Sequence, residues 1–344
     1  MTFLLLLAAL LLSLLLTGVL RRYALSRSLL DVPNARSAHI APTPRGGGVA
    51  IVLTFLSGAL FLYGMHLVSG RELVAFLGAG ALVALVGFLD DHQHVPARWR
   101  LLVHFTAAFW ALFWMGGMPP LPIFGVMVNA GWLAQGLAAL YLVWLLNLCN
   151  FMDGIDGLAS IEAMTVCAGA TALYLLGAPG STDGAVSLSM LLLAAVGGFL
   201  CWNFPPAKIF MGDAGSGFLG LTLGLLSIQA AWINPAFFWA WLILLGVFVV
   251  DATLTLLRRL LRRQKLHEAH RSHAYQYASR KYGAHRPVTL AVAAINLLWL
   301  LPIAIGVGLG RVDGVAGLLL AYLPLIMLAI RFKAGAAEAQ EAPP

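Results

Sequence analysis

Five aspartates stand at the ends of apolar segments in a chain that has few other charges. They are Asp90, Asp91, Asp153, Asp156 and Asp213. Adjacent carboxylates such as Asp90 and Asp91 repel each other unless a cation lies between them or one of them keeps its proton. Oxygen ligands without clustered cysteines suit Mg²⁺ or Mn²⁺ better than zinc. The aspartates therefore predict a site for a hard divalent cation.

Two glycine-rich turns accompany the aspartates, at residues 43–48 and 212–217, and each opens an apolar segment. Glycine at the start of a helix lets backbone N–H groups approach an anion, and the helix dipole favours negative charge there. Phosphoryl transfer needs a divalent cation, anion-holding turns and nearby Lys or Arg, because its catalysis rests on positioning and charge neutralisation. The pattern predicts a phosphorylated ligand.

The composition indicates that membrane-spanning helices position these residues. Of 344 residues, 61% are hydrophobic and 10% are charged, and the mean hydropathy is +0.89. A soluble domain has about 25% charged residues. A soluble enzyme, a disordered chain and a disulfide-stapled secreted module are therefore excluded. The sequence predicts an all-α polytopic membrane protein.

About eleven apolar segments are long enough to cross a bilayer, which takes about 20 residues. They lie at residues 2–20, 47–69, 72–89, 101–116, 131–148, 158–176, 185–203, 216–232, 235–256, 288–308 and 315–330. The first segment is expected to stay as a helix, since Arg21 and Arg22 follow it directly as a stop-transfer flank would. We predict one integral-membrane domain over residues 1–333 and a short disordered cytoplasmic tail over residues 334–344.

Basic residues are distributed unequally between the two sides. With the N-terminus outside, all of the 21 Lys and Arg except Arg71 and Arg311 fall on the inner side. The positive-inside rule then predicts a periplasmic N-terminus, a cytoplasmic C-terminus and a site at the cytoplasmic face. Nucleic acid is not an expected partner; the lipid bilayer is. One basic stretch is predicted to bind anionic lipid headgroups: Arg258, Arg259, Arg262, Arg263 and Lys265.

Five stretches resemble, in order, the motifs of the polyprenyl-phosphate N-acetylhexosamine-1-phosphate transferases. These enzymes form glycosyltransferase family 4 and include the phospho-MurNAc-pentapeptide translocase of cell-wall synthesis. The first stretch covers residues 31–48 and contains Arg36 and His39, and the others are residues 87–91, 147–158, 203–216 and 270–276. Together they extend over most of the chain.

The resemblance implies a reaction and its participants. An oxygen of a membrane-held polyprenyl phosphate, such as undecaprenyl phosphate, attacks the β-phosphorus of a UDP-N-acetylhexosamine. UMP leaves, and a polyprenyl-diphospho-sugar is formed. The resemblance also implies Mg²⁺, or Mn²⁺, as the cofactor and the bacterial inner membrane as the location. Homodimers occur in the superfamily.

The resemblance also assigns roles to the matching residues. Asp213 is expected to be the principal Mg²⁺ ligand, with Asp90 and Asp91 beside it, and Asp90 is also a candidate base for the lipid phosphate. His273 completes the expected catalytic set, and Phe210 is expected to stack on uracil. The expected substrate-binding residues are Arg45, Asn150, Asp153, Asp156, Asn203, Lys208, Phe210, His270 and Arg271.

The fifth motif departs from the cell-wall branch of that family, which carries consecutive histidines. This chain has His270 and His273, which would share one face of a helix, followed by Tyr275 and Gln276. That pattern resembles the branch that begins O-antigen and related surface polysaccharides, including lipopolysaccharide. The donor stays open among UDP-GlcNAc, UDP-GalNAc, UDP-FucNAc and UDP-QuiNAc.

Two other functions fit parts of the sequence. An anion transporter would need ionisable groups near the bilayer midplane, whereas the acids inside the predicted spans, Glu162 and Asp251, lie near cytoplasmic ends. A CDP-alcohol phosphatidyltransferase shares the Asp-x-x-Asp-Gly fragment that begins at Asp153. However, Ser160 and Ile161 stand where that enzyme would need Ala and Arg. The five motifs together favour the sugar-phosphate transferase.

Overall fold

A computed structural model describes residues 2–33, 42–93, 95–180, 183–264 and 270–336. Within these ranges the regular structure is helical apart from two short antiparallel strand pairs. Arg36 and His39 of the first motif lie outside the described residues, as does Lys265 of the basic stretch.

The described helices run through the whole chain. They are α1 (Thr2–Ser26), α2 (Val49–Gly64), α3 (Gly70–His92), α4 (Ala97–Met115), α5 (Gly131–Met152), α6 (Leu158–Gly177), α7 (Asp183–Asn203), α8 (Asp213–Ile233), α9 (Pro235–Leu244), α10 (Gly246–Leu261), α11 (Ala274–Tyr282), α12 (Arg286–Ile295), α13 (Leu301–Gly308) and α14 (Gly314–Arg331), with a π-helical turn at Asn296–Leu300. The strands are β1 (Leu30–Asp31), β2 (Thr43–Pro44), β3 (Leu121–Ile123) and β4 (Val126–Val128), and β1 pairs with β2 as β3 does with β4.

Eight helical segments in the described part of the chain are long and apolar enough to cross a membrane. They are α1, α3, α5, α6, α7, α8, the stretch from α12 through α13, and α14. A ninth results if α9 and α10 count as one span, although the two are bent by 69° where they meet. The prediction of an all-α polytopic membrane protein is confirmed, and the predicted eleven spans exceed this count of eight or nine. The difference lies in α2, which has only 16 residues, and in α4, which carries Arg98 and Arg100.

Helix α8 lies at the centre of the bundle. Every residue from Ala214 to Ala231 is buried, and the helix packs against α2, α3, α5 and α9. A Cβ atom on Gly220 would lie 2.4 Å from the backbone oxygen of Leu145. Glycine at this position therefore lets the backbones of α8 and α5 touch.

Two further glycine contacts bring the motifs together at the first turn of α8. A Cβ atom on Gly48 would lie 2.5 Å from the Cα of Gly215, and one on Gly87 would lie 2.6 Å from the Cα of Ala214. The helices α2 and α3 thus meet α8 backbone to backbone. Any larger residue would force them apart and displace the loops that they carry.

The turn before α2 is held by the protein itself. The backbone N–H groups of Gly47 and Gly48 donate to the carbonyl oxygens of Phe210 and Met211, each at 2.9 Å. These two donors were predicted to face an anion. The structure corrects that prediction, since pairing between the first and fourth motifs already satisfies them.

The basic residues at the end of α10 are used inside the protein. Arg258 donates to the carbonyl oxygen of Ala334 at 2.9 Å, and Arg262 donates to that of Gly335 at 2.7 Å. Arg259 is buried, with 8% exposure. One nitrogen each of Arg258 and Arg262 is thus engaged by a backbone carbonyl, and the binding of lipid headgroups stays a prediction.

The same contacts correct the predicted start of the tail. Ala334 is buried, and the backbone N–H of Gly335 donates to the carbonyl oxygen of Ser272 at 2.7 Å. The chain is thus packed past residue 333. The rest of the predicted tail, residues 337–344, lies outside the described residues.

Candidate active site

The loops that carry the motifs meet at one end of the bundle, around two cavities. The larger has a volume of about 420 Å³ and is lined by α3, α4, α5 and α8 together with His270 and His273. The smaller, of about 240 Å³, is lined by the loop after α5 and by Phe210, among others. Asn150 and Asp213 line both. The two cavities therefore join at these two side chains.

Asp91 holds the start of α8. Its Oδ1 accepts the backbone N–H of Asp213 at 3.0 Å, and its Oδ2 accepts that of Ala214 at 3.3 Å. The first N–H groups of a helix have no partner within it, and a carboxylate there also meets the positive end of the dipole. Arg45 in turn donates to the backbone oxygen of Asp91. This geometry gives Asp91 a positioning role, and its service as a metal ligand stays a prediction.

Arg100 joins the other two carboxylates of the predicted metal site. One guanidinium nitrogen donates to Asp90 and lies 3.3 Å from Oδ2 of Asp213. The backbone N–H of Val95 donates to Oδ1 of Asp90 at 2.8 Å. The side chain of Asp90 is 8% exposed and that of Asp213 is 36% exposed. Asp213 is thus the more accessible of these two carboxylates.

Asn150 fixes the second oxygen of Asp213. Its Nδ2 donates to Oδ1 of Asp213 at 2.9 Å and to Oγ of Ser216 at 3.0 Å. Asn150 lies at the end of α5, whereas Asp213 and Ser216 belong to the first turn of α8. The carboxylate that faces both cavities is therefore held from two helices.

These oxygens fit a hard divalent cation whose remaining ligands come from a substrate and from water. Among the residues with described positions, no three His, Cys, Asp or Glu side chains are arranged to hold a metal ion by themselves. Asp213 and Asp90, which Arg100 joins, supply carboxylate oxygens. Mg²⁺ commonly takes one or two carboxylates and completes its shell with substrate phosphates and water. The residues present therefore fit Mg²⁺, with Asp213 as the more accessible ligand.

Asp156 shapes the smaller cavity through contacts with two other loops. Its Oδ2 accepts the backbone N–H of Ala207 at 2.9 Å, and its Oδ1 lies 3.1 Å from Nδ1 of His285. Asp156 is 9% exposed. It ties the loop after α5 to the loop after α7, and its predicted substrate contact would use what remains of this small exposed surface.

Asn203 is bonded to backbone on both sides of its amide. Its Oδ1 accepts the N–H of Gly157 at 3.0 Å, and its Nδ2 donates to the carbonyl oxygen of Ile209 at 3.0 Å. Buried amides that pair with backbone fix the course of the chain. Asn203 lines the smaller cavity and positions both of its walls, so its contact with substrate stays a prediction.

Asp153 adds a further acid to the smaller cavity. Burial and the nearby carboxylates of Asp213, Asp91 and Asp156 raise the pKa of Asp153 well above its usual range. Like charges that crowd a buried site are relieved by a bound cation or by a proton. The cavity therefore favours a positively charged companion for any anionic ligand.

Three of the predicted binding residues have different outcomes. Phe210 lines the smaller cavity, and its backbone N–H donates to the carbonyl oxygen of Pro44 at 2.8 Å. Within the described part of the chain, Lys208 and Arg271 line neither cavity. The Lys208 ammonium lies 5.6 Å from the centre of the Trp202 ring, which holds this cation away from the site. The structure brings Phe210 into the site and leaves the other two outside its walls.

The fifth motif forms one wall of the larger cavity. The ring centroids of His270 and His273 are 5.0 Å apart. Burial, together with the nearby charges of His273 and Arg259, lowers the pKa of His270 to about 3. His270 is therefore neutral at neutral pH. Its Nδ1 accepts the backbone N–H of Ser272 at 3.5 Å and lies 2.9 Å from Oγ of the same residue, which leaves the hydrogen on Nε2. A contact with a diphosphate would therefore be an N–H hydrogen bond from Nε2 and not an ion pair.

Sequence reasoning missed several residues of the site. Arg100 and His104 line the larger cavity, and His285 lines the smaller one. Arg100 and His104 stand four residues apart and therefore share one face of a helix, which was an available signal. Asp251 was noted only as an acid inside a span, although a buried intramembrane acid is itself a mark of function.

A comparison with family models identifies part of the chain. Residues 73–231 match the model described as glycosyl transferase family 4. This stretch extends from α3 into α8 and contains Asp90, Asn150 and Asp213. His270 and His273 lie beyond its end.

Curated proteins of bacterial origin are similar over longer stretches. The probable undecaprenyl-phosphate N-acetylglucosaminyl 1-phosphate transferase of Bacillus subtilis is 29% identical over 290 residues, which cover 83% of this chain and 79% of that protein. The decaprenyl-phosphate N-acetylglucosaminephosphotransferase of Mycobacterium tuberculosis is 34% identical, with 62% of this chain and 57% of that protein covered. The phospho-N-acetylmuramoyl-pentapeptide-transferase of Streptococcus pneumoniae is 31% identical, with 62% and 66% covered.

Proposed function

Because the chain belongs to glycosyl transferase family 4, we propose that it transfers N-acetylhexosamine-1-phosphate from a UDP-sugar to a polyprenyl phosphate such as undecaprenyl phosphate. An oxygen of the acceptor phosphate forms a bond to the β-phosphorus of the donor. The bond from this phosphorus to the bridging oxygen breaks, and UMP leaves with that oxygen. The product is a polyprenyl-diphospho-sugar. The family match supports this reaction over an anion transporter or a phosphatidyltransferase.

The observation that carries the proposal is the junction of two unlike cavities at Asp213 and Asn150. The larger cavity combines apolar residues such as Val83 and Leu101 with the charged Arg100, which suits the phosphate end of a lipid. The smaller cavity holds polar groups and Phe210, which suits a nucleotide. Two substrates held in this way would meet at one carboxylate.

Four residues then have proposed roles at the junction or beside it. Asp213 and Asp90 would hold Mg²⁺, or Mn²⁺, and the cation would neutralise the phosphate oxygens and stabilise the charge that develops during transfer. Arg100 supplies a second positive charge between the same carboxylates. His273 lines the larger cavity and would accept a hydrogen bond or a proton from a protonated oxygen of the acceptor phosphate. Asp90 is already paired with Arg100, which favours a charge-balancing role for it over that of a base.

The biological setting is part of the proposal. The spacing of His270 and His273 supports a place at the start of O-antigen or related surface polysaccharide synthesis. The distribution of Lys and Arg supports a site on the cytoplasmic side of the bacterial inner membrane. A homodimer is proposed from the superfamily resemblance alone.

We expect purified protein to release UMP from at least one UDP-N-acetylhexosamine only when undecaprenyl phosphate and a divalent cation are both present. A panel of UDP-GlcNAc, UDP-GalNAc, UDP-FucNAc and UDP-QuiNAc is incubated with the protein, and UMP and the lipid-linked sugar are measured by chromatography. Chelation with EDTA should stop the reaction, and added Mg²⁺ or Mn²⁺ should restore it. Release of UMP without the lipid phosphate would reveal a hydrolase and contradict the proposal.

The same assay in sealed vesicles tests on which side the site lies. UDP-sugars do not cross a bilayer unaided. Inverted inner-membrane vesicles should therefore convert added donor, whereas right-side-out vesicles should do so only after permeabilisation. The opposite result would reverse the proposed orientation.

Phe210→Ala is expected to raise the KM for the UDP-sugar by about 5-fold to 160-fold with little change in kcat. Stacking of a base on an aromatic ring contributes about 1–3 kcal/mol, and each 1.36 kcal/mol is tenfold. Phe204→Ala is the matched control, because Phe204 lies in the same loop and stacks against Arg286 outside both cavities. Equal KM values for the two variants would assign Phe210 to packing only.

A further inference from the structure

A buried carboxylate on α10 gathers four hydrogen-bond donors behind the larger cavity. Asp251 is 6% exposed. Its Oδ1 accepts the backbone N–H of Ala274 at 2.9 Å, and its Oδ2 accepts that of Tyr275 at 3.0 Å. Oγ of Thr255 donates to Oδ1 at 3.1 Å. These contacts place the carboxylate at the N-terminus of α11, where the first N–H groups of the helix need an acceptor.

The fourth donor is the imidazole of His273. Its Nδ1 lies 3.4 Å from Oδ1 of Asp251. His273 is 2% exposed, and its ring lies against those of Tyr275 and Phe151, at centroid distances of 5.6 Å and 6.4 Å. The ring is therefore fixed by packing on its faces and by the carboxylate at one nitrogen.

The contact with Asp251 selects the proton position on the ring. A carboxylate accepts and does not donate, so the Nδ1 of a neutral His273 carries the hydrogen and Nε2 keeps a lone pair. His273 lines the larger cavity together with Asp213 and Arg100. With Nδ1 committed to Asp251, Nε2 is the nitrogen that a group in this cavity can use.

We propose that Asp251 is a positioning residue: it holds His273 as the Nδ1–H tautomer and fixes the start of α11, so that Nε2 of His273 meets the reacting groups in the larger cavity. An Nε2 with a lone pair accepts a hydrogen bond or a proton, so the group that it meets carries a proton. Only the identity of that group, a protonated oxygen of the acceptor phosphate, rests on the proposed function. Asp251 belongs to α10, the second helix of the bent pair, and the bend of 69° lies between α9 and α10. The second helix of this pair therefore positions His273, which lies outside it.

The tautomer of His273 can be measured without any substrate. The full chain is labelled with ¹⁵N in its histidine rings, purified in detergent at about pH 8, and His273→Gln identifies the signals of His273. The neutral ring of His273 in wild-type protein should show a protonated Nδ1 and an unprotonated Nε2. A protonated Nε2 in the wild type would overturn the proposal. This outcome does not depend on whether the protein transfers a sugar phosphate.

Asp251→Asn then tests the consequence for the reaction. The amide keeps the size of the carboxylate but can offer its own N–H to Nδ1, which favours the other tautomer. In a Ser-His-Asp triad the same change lowers kcat by about 10⁴-fold through the wrong tautomer. Here we expect kcat to fall by about 10²-fold, with both KM values within about threefold, because Asp213 and Arg100 keep their places. A kcat within threefold of wild type would overturn the proposal.

Asp313→Asn is the control for the loss of a carboxylate charge at a helix N-terminus. Asp313 accepts the backbone N–H groups of Val315 and Ala316 at the start of α14, at the other end of the bundle and without a histidine. Its change to Asn removes the charge, keeps an acceptor for these N–H groups and should leave kcat unchanged. Equal losses of kcat in the two variants would assign Asp251 to capping alone. If Asp251→Asn is not monodisperse, the wild-type tautomer decides.

Discussion

Asp213→Asn is expected to lower turnover by about 10³-fold or more while the protein stays folded. The change keeps the shape of the side chain and its contact with Asn150 but removes the charge at the junction of the two cavities. A ligand that lets a metal stabilise the transition state contributes several kcal/mol, and about 4 kcal/mol corresponds to 10³-fold. The initial rate of UMP release at saturating substrates measures the effect. Excess Mg²⁺ or Mn²⁺ should restore little, because the ligand itself is lost.

Asp183→Asn is the matched control for this change. Asp183 is the first residue of α7, as Asp213 is the first of α8, but it lies at the opposite end of the bundle. Its change should leave turnover within about twofold of wild type. If Asp213→Asn instead kept more than about a tenth of wild-type turnover, the barrier would have changed by less than about 1.4 kcal/mol. The principal ligand would then have to be sought at Asp90 or Asp91.

Arg100→Met is expected to lower kcat/KM by about 10²-fold. Arg100 donates to Asp90 and lies 3.3 Å from Asp213, so its loss leaves two carboxylates facing each other without their shared cation. Removal of one partner from a buried charge pair costs about 3–5 kcal/mol. The one-third exposure of Arg100 reduces this cost, and about 2.7 kcal/mol corresponds to 10²-fold. Raised Mg²⁺ should recover part of the activity here, because a cation can replace the missing charge.

Two variants define the limits of this result. Arg98→Met removes an exposed arginine of the same helix, two residues before Arg100, whose guanidinium lies 5.8 Å from the centre of the Trp99 ring. This variant should keep kcat/KM within about twofold of wild type. Arg100→Lys keeps the charge but loses the planar fork and should fall between wild type and Arg100→Met. If Arg100→Met were as active as Arg98→Met, Arg100 would have no part in the reaction, and its role would be to orient the chain in the membrane.

Several features of the site follow from local sequence. Phe210 and Asp213 were assigned because a short motif resembles that of a known family, and the structure places both in cavity walls. Motifs of this kind are predictable because their residues act through one loop whose course is set by its own glycines. Lys208 belongs to the same motif, but its ammonium lies over the ring of Trp202, a residue of the preceding helix α7.

The glycine turns show a different limit. Their composition predicts a surface for anions, but Gly48 and Gly215 are pressed against each other, and the N–H of Gly48 pairs with Met211. Small residues permit close approach to whatever is near, whether a phosphate or another backbone. The sequence shows only that close approach is possible at these glycines. The packing of α2 on α8 determines that the partner is another backbone and not a phosphate.

By itself, the sequence determined that this protein lies in a membrane and which kinds of chemical group are available at its site. Hydropathy is a sum over neighbouring residues, so an apolar chain with 10% charged residues must be a membrane protein wherever its helices pack. Pairing is another matter. Arg100 and Asp213 are 113 positions apart, and Asp251 meets His273 only because α10 bends away from α9 and α11 begins against it. The tertiary structure decided which charged groups pair and which nitrogen of His273 faces the cavity, because it brings the helix ends together. Electrostatic and hydrogen-bond energies depend on separations of a few ångströms, and distance along the chain does not encode such separations.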